Sequence, residues 1–260
     1  MSKKILILAG GFSKEREISL KSARAVSKVL KENKYKTKIF EPDGNFISNL
    51  KKYKPSVVFN ALHGRYGEDG YIQTILEKEK VKYTHSGVIS SSLAIDKVLS
   101  KKLFIKNNIL TPKYIVFNFK DKIKKNKLIT KINKKLGFPV VIKPINEGSS
   151  VGVYICNKKN LLKKIFYLKD NKEIIIEKYI PGKEIQAAIM GNKKLGAIEL
   201  KPKRKFYDYS AKYDKNAKNQ RQNLPKMFPK PPHILSIIKF VRVSKVSTIV
   251  LDLVITISLC

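Results

Sequence analysis

The chain has 260 residues and carries 55 Lys and Arg against 20 Asp and Glu, a formal net charge of +35. Nearly all of the positive charge is lysine spread along the chain among Ile and Asn. Arginine, the bidentate reader of phosphate and guanine, is scarce, so the charge reads as a compositional bias on solvated faces and no nucleic-acid partner is expected. At ~100–200 residues per domain the length allows one large or two modest domains, with two the better starting point.

Only Cys156 and Cys260 are present, which suggests no disulfide framework and suits a reducing compartment. The first residues, Met1-Ser2-Lys3-Lys4-Ile5, enter a strand-like run at once, with no export signal ahead of it. The most apolar stretch, 249–260, contains Asp252 and falls short of the ~20 residues that span a bilayer. A cytoplasmic protein without a membrane partner is expected.

In chain order, Ile5 to Ala9 is a short apolar run ended by Gly10-Gly11 and followed by helix-like spacing through Ile18, Ala23, Val26 and Leu30. Residues 36–40 and 56–62 give two more strands, and the alternation predicts a parallel, Rossmann-like sheet. The spacing predicts one helix over 91–107, turning Ala94, Leu99 and Phe104 toward a core, before Thr111-Pro112 opens a new region. Residues 120–135 are lysine-rich, a solvated helix and loop. A buried strand at 139–144 is expected to pair with 173–179, and strands at 185–190 and 195–200 flank a turn at Gly191-Asn192-Lys193-Lys194.

Five constellations carry chemistry. Gly10-Gly11-Phe12-Ser13-Lys14-Glu15-Arg16 places a glycine turn before a helix N-terminus; its plainer reading is Ser13 as a helix cap. Ala61-Leu62-His63-Gly64-Arg65-Tyr66-Gly67-Glu68-Asp69-Gly70 sits at the C-terminal end of a strand, where open α/β sheets bind ligands. Asp96-Lys97 and Lys143-Pro144 with the loop Gly148-Ser149-Ser150-Val151-Gly152 can hold phosphates by charge and backbone amides. Glu177-Lys178-Tyr179-Ile180-Pro181-Gly182-Lys183-Glu184 follows, and then Phe206 to Tyr213. For any single lysine here the plainer reading is solvation; position inside a motif singles out Lys97 and Lys143.

These motifs, in this order and spacing, resemble those of the D-alanine:D-alanine ligases, enzymes of the ATP-grasp family. The resemblance implies an α/β protein: a Rossmann-like N-terminal domain followed by a truncated ATP-grasp fold. It implies ATP and D-alanine as ligands, Mg2+ or Mn2+ as the family's metal, and a homodimer. Glu15 would bind the ammonium of the first D-alanine with His63 nearby, and Ser149 would orient the substrate. Lys97 and Lys143 would contact nucleotide phosphates. Glu177 would meet the adenine amine, the backbone at Lys178 and Ile180 the ring edge, and Glu184 the ribose. Lys212 would reach the γ-phosphate and Tyr213 would close toward the Glu15 region on a lid loop, in which Ser210 stands where Glu is usual. The implied reaction is attack of one D-alanine carboxylate on the γ-phosphate, giving an acyl phosphate that the second amine captures.

The expected domains are 1–96, a substrate domain; 97–182, a central ATP-grasp subdomain; 183–218, the start of a C-terminal subdomain with its lid; and 219–260, an aberrant tail. Beyond Lys218 prolines gather at 225, 229, 231 and 232, and no helix or strand programme consistent with the fold is expected. The family's Arg-x-Asp and Glu-x-Asn-Thr-x-Pro-Gly-Met runs, which supply the metal ligands and an arginine for the tetrahedral intermediate, do not occur in the sequence, so the chain as written is expected to be inactive. A competing reading is a non-catalytic remnant that retains nucleotide or D-alanine binding. A reading-frame shift near residue 218 is the expected cause of the change. Sequencing the gene tests it: an alternative frame downstream of codon 213 is expected to encode the missing Glu-x-Asn-Thr-x-Pro-Gly-Met-like run, and its absence from both frames removes the idea.

Overall fold

The computed structural model describes residues 3–121, 124–148, 150–190, 193–201, 220–223 and 255–259. Its backbone divides into two compact units, the first built on the residues up to Ile95 and the second beginning at Asp96.

In the first unit, β1 (Lys4–Leu8) lies between β2 (Lys36–Phe40) and β3 (Val57–Asn60), all parallel. A central parallel strand is covered on both faces, which is why β1 reads as an unbroken apolar run. Leu6 and Leu8 face one layer with Phe46, Leu50, Val58, Ile72 and Leu76, whereas Ile7 faces the other with Ala9, Ala23 and Ala61. The helices are α1 (Arg16–Glu32), α2 (Phe46–Tyr53), α3 (Tyr71–Lys78) and α4 (Val88–Ile95). Against the sheet α1 buries Ser19, Ala23 and Ser27, small side chains that let helix and strands approach closely. Ser19 Oγ accepts from Gly10 N at 2.8 Å and donates to Ala61 O at 2.6 Å, joining the ends of β1 and β3.

The single helix expected over 91–107 is corrected. The chain leaves helical geometry at Asp96 and starts again as α5 (Lys97–Lys106), because the Asp96 carboxylate accepts from Val98 N and Leu99 N, both at 2.8 Å. An aspartate satisfying the free amides of a first turn is a strong start signal. The restart changes which face turns inward: Ala94 and Leu99 are exposed and Phe104 is half-buried, while Lys101 is 5% exposed.

The second unit holds a sheet in the order β4-β7-β5-β6, with antiparallel neighbours: β4 (Tyr114–Asn118), β5 (Val140–Pro144), β6 (Tyr154–Cys156) and β7 (Glu173–Lys178). The expected pairing of the strand at 139–144 with that at 173–179 is present, with Val141 opposite Glu177. Across the core lie α6 (Lys125–Lys135), which buries Leu128 and Ile132 beneath its lysines, and α7 (Leu161–Phe166), with Ile142, Ile174 and Ile176 opposite. The strands β4 and β6, and the helices α2, α3 and α7, were not predicted.

A further sheet has the order β10-β9-β8-β11, from β8 (Lys183–Met190), β9 (Lys193–Lys201), β10 (Gln220–Asn223) and β11 (Ile255–Leu259). Beyond Lys218, where no helix or strand programme consistent with the fold was expected, two strands occur. Gln220–Asn223 pairs antiparallel with β9, and the β-branched alternation Ile255-Thr256-Ile257-Ser258-Leu259 pairs antiparallel with β8.

Ile176→Ala, at a fully buried position, is expected to destabilise the protein by about 2–5 kcal/mol. Leu110→Ala, at a fully exposed one, should stay within about 0.5 kcal/mol in the same denaturant titration.

Candidate functional site

In the first unit the glycine turn and the strand-end loop meet. Glu15 is the residue before α1 and is 5% exposed. Ser13 does not cap the helix as the plainer reading had it; its Oγ accepts from Glu15 N at 3.2 Å, inside the turn. Glu15 Oε2 lies 3.8 Å from where a side chain on Gly64 would begin, which puts the carboxylate against the loop that bears His63; Gly64 itself turns at φ 65°.

The loop bearing His63 is held from behind. Gly67 O accepts from Asn60 Nδ2 at 2.9 Å and from Gln73 Nε2 at 2.8 Å, while Asn60 Oδ1 accepts from Leu62 N at 3.1 Å. A Cβ at Gly67 would come within 2.5 Å of Leu62 Cβ, so the loop folds this tightly only with glycine there. Glu68 Oε2 accepts from Gly64 N at 2.8 Å, and its Oε1 lies 3.6 Å from His63 Nδ1. Glu68 raises the His63 pKa above its ordinary value through this ring contact; burial opposes it, and the charges of Glu68 and Glu15 add to it.

The second unit gathers four charged side chains at α5, β5 and β7. Val141 and Lys143 are two residues apart on β5 and Val141 is opposite Glu177, so Lys143 and Glu177 share a face of the sheet. Lys143 Nζ is 2.6 Å from Glu177 Oε2 and Lys101 Nζ is 2.9 Å from Glu177 Oε1. Burial alone would push the Glu177 carboxyl up, but the two ammonium groups outweigh it and hold its pKa below the ordinary value. Lys97 Nζ donates to Ile145 O at 3.0 Å and to Glu147 O at 2.5 Å, tying the first turn of α5 to the segment after β5. Burial, with the charge of Lys143 next, brings Lys97 down to about 8, against the pull of Glu177, Glu147 and Asp96.

Comparison with known proteins bears on the family. The family model described as D-ala D-ala ligase C-terminus matches residues 103–231. The chain is 64% identical over 222 residues to the D-alanine–D-alanine ligase of Pelagibacter ubique, covering 85% of this chain and 72% of that protein. The chain belongs to the D-alanine–D-alanine ligase family.

A second ligase of the family, from a Wolbachia of Drosophila simulans, is 48% identical over 215 residues, covering 80% of this chain but only 64% of its own length. The crystal structure of the Bacillus anthracis ligase complexed with ATP superposes with a TM-score of 0.75 at 26% identity, covering 93% of this chain and 78% of that one. The fold is thus that of the ATP-grasp ligases, an ATP-dependent family that supplies peptidoglycan synthesis.

Of the residues singled out from the ligase motifs, Glu15 and His63 lie together in the first unit, and Lys97, Lys143 and Glu177 lie together in the second. Lys178, exposed, ends β7, its N–H donating to Lys113 O at 2.9 Å, and Ile180 follows it, half-buried. Glu184 is on β8, its side chain outside the described residues, as are Ser149, Lys212 and Tyr213 entirely. Sequence reasoning missed Lys101, because outside a motif it looked like any solvated lysine. Its spacing of four from Lys97, on one helix face, was the available signal. It also gave no role to Asn60 and Gln73, whose burial depends on the loop they hold.

Lys97 holds fewer protons in the folded chain than in the unfolded chain between about 8 and its ordinary 10.5, so its contribution to stability rises with pH through that window. Lys97→Met is expected to flatten the rise in urea-unfolding free energy measured against pH. For His63 the sign is opposite: its raised pKa gives stability that is present below the ordinary value of 6.5 and is lost as pH rises through the raised one. Glu68→Gln is expected to lower the His63 titration midpoint read by proton NMR.

Proposed function

We propose that the chain binds ATP and a first D-alanine for the ligation of two D-alanines to D-alanyl-D-alanine. The observation that carries this reading is the cluster in which Glu177 lies between two ammonium groups with Lys97 beside it. Three cations around one carboxylate leave a net positive site on the segments that the family resemblance assigns to the nucleotide. Lys97 and Lys143 then neutralise phosphate, as positioned ammonium groups do in phosphoryl transfer. Glu177, ionised and so an acceptor, takes the adenine amine; the backbone at Lys178 and Ile180 meets the ring edge and Glu184 the ribose.

In the first unit the buried Glu15 carboxylate suits the ammonium of a D-amino acid, with His63 along its edge. By the family resemblance Ser149 orients that substrate, Lys212 reaches the γ-phosphate and Tyr213 closes toward the Glu15 region. The amino acid carboxylate attacks the γ-phosphate, and the amine of the second D-alanine displaces phosphate from the resulting acyl phosphate. A homodimer in the cytoplasm is the assembly proposed from the family.

The family's Mg2+ or Mn2+ does not fit the described residues. Among them no group of three or more His, Cys, Asp or Glu side chains converges, and Glu177, the buried carboxylate among the lysines, has an ammonium at each oxygen. No step is routed through a metal, and the 260 residues as written are proposed to bind both substrates without completing ligation.

Two assays test this. Calorimetry is expected to show ATP binding by the 260-residue chain, weakened at least about tenfold by Lys143→Met, since a charge-assisted contact to phosphate is lost. Release of ADP is expected to stay at background with D-alanine present or absent. Absence of ATP binding sinks the nucleotide assignment, and D-alanine-dependent ADP release sinks the proposed inactivity.

A further inference from the structure

Lys101 is the one buried cation of the cluster to which the proposed chemistry gives no task. Its Nζ meets three acceptors: Glu177 Oε1 at 2.9 Å, Thr111 Oγ1 at 2.6 Å and Pro112 O at 2.8 Å. An ammonium has three protons, so all of its donors are used. The Tyr114 ring lies 5.2 Å from the same Nζ, and the residue is 5% exposed. Lys143, on the other oxygen of Glu177, has a side chain 23% exposed. One carboxylate therefore has two counter-ions, one locked in place and one at the edge of the site.

A single cation is enough to neutralise a buried carboxylate, so the second needs a reason. A lone cation could not leave, because its departure would strand an unpaired charge in the interior. With two, the more exposed one is released at little cost. We propose that Lys101 is a positioning residue, the permanent counter-ion of Glu177, which lets Lys143 turn from the carboxylate to a nucleotide phosphate while Glu177 stays charged and aimed at a purine 6-amino group.

The inference rests on the reading that Glu177 faces the purine, and it extends that reading to base selection. An ionised carboxylate only accepts hydrogen bonds, and each of its oxygens keeps a lone pair beyond the one turned to lysine. A 6-amino group donates to it. The 6-oxo group of inosine presents an acceptor to an acceptor and is repelled. Without Lys101, Lys143 can turn to the phosphate only by leaving Glu177 unpaired, and the carboxylate then takes up a proton or swings away. ATP binding weakens, and discrimination between the two bases is blunted with it.

The test is calorimetric titration of the 260-residue chain with ATP and with inosine triphosphate, for the parent, Lys101→Met, Glu177→Gln and the double variant. The parent is expected to prefer ATP. Lys101→Met should weaken ATP binding and reduce the ATP preference at least about tenfold, the size expected when a charged hydrogen bond is lost. Glu177→Gln should reduce it similarly, and adding Lys101→Met to Glu177→Gln should reduce it no further. If Glu177→Gln leaves the preference unchanged, the purine reading of Glu177 fails. If Glu177→Gln lowers it but Lys101→Met does not, only the role of Lys101 fails. Should Lys101→Met not fold, Thr111→Val, which removes one acceptor of the ammonium and no charge, is expected to lower the preference about two- to threefold; an unchanged preference there overturns the role.

Discussion

A carboxylate withdrawn from water must keep its charge matched, and Glu177, 6% exposed, does so with the ammonium groups of Lys101 and Lys143. Leaving such a group with no partner costs about 3–5 kcal/mol, so the elements that supply the pairing are constrained by it. Lys143 reaches Glu177 only because β5 and β7 pair with Val141 opposite Glu177; a slip of one residue would turn Lys143 to the other face. Lys101 reaches it because the helix restarts at Asp96, which sets the inward face of α5. The same restart puts Lys97 in the first turn, where its ammonium binds the carbonyls after β5.

In the first unit the pairing is between motifs, not charges. The two glycine-bearing turns leave the ends of neighbouring parallel strands β1 and β3, and the Ser19 hydroxyl bridges those ends. Glu15 is brought beside the His63 loop by a turn at Gly64, at φ 65°, and by close packing on Leu62 that only glycine permits at Gly67. Behind the loop, Asn60 and Gln73 converge on one carbonyl, that of Gly67. The site residue His63 is therefore aimed by two amides that carry no chemistry of their own.

Much of this was legible in the residues. The apolar run of β1, the Gly-Gly turn and the parallel alternation are local patterns, and the motifs kept their order and spacing along the chain. The strand pair β5 and β7 was also readable, since both are continuous apolar runs. The continuous helix over 91–107 was wrongly read because periodicity alone cannot weigh a capping aspartate inside a helical pattern. The strand β10 was missed because Gln220–Asn223 is polar throughout, and β11 because the prolines at 225–232 turned the reading of the whole tail, although Ile255–Leu259 alternates as a strand does; pairing with β9 and β8 supplies their backbone partners.

What the sequence determined by itself was the family, through residues whose identity and spacing carry meaning before folding: the glycines, His63, Glu15, Lys97, Lys143 and Glu177. What only the tertiary structure decided was which of the chain's many lysines is buried. Burial is a property of neighbours, and in so lysine-rich a sequence no single ammonium announces its surroundings. Lys101 differs from the solvated lysines solely in that Thr111, Pro112 and Glu177, up to 76 positions away, close around it.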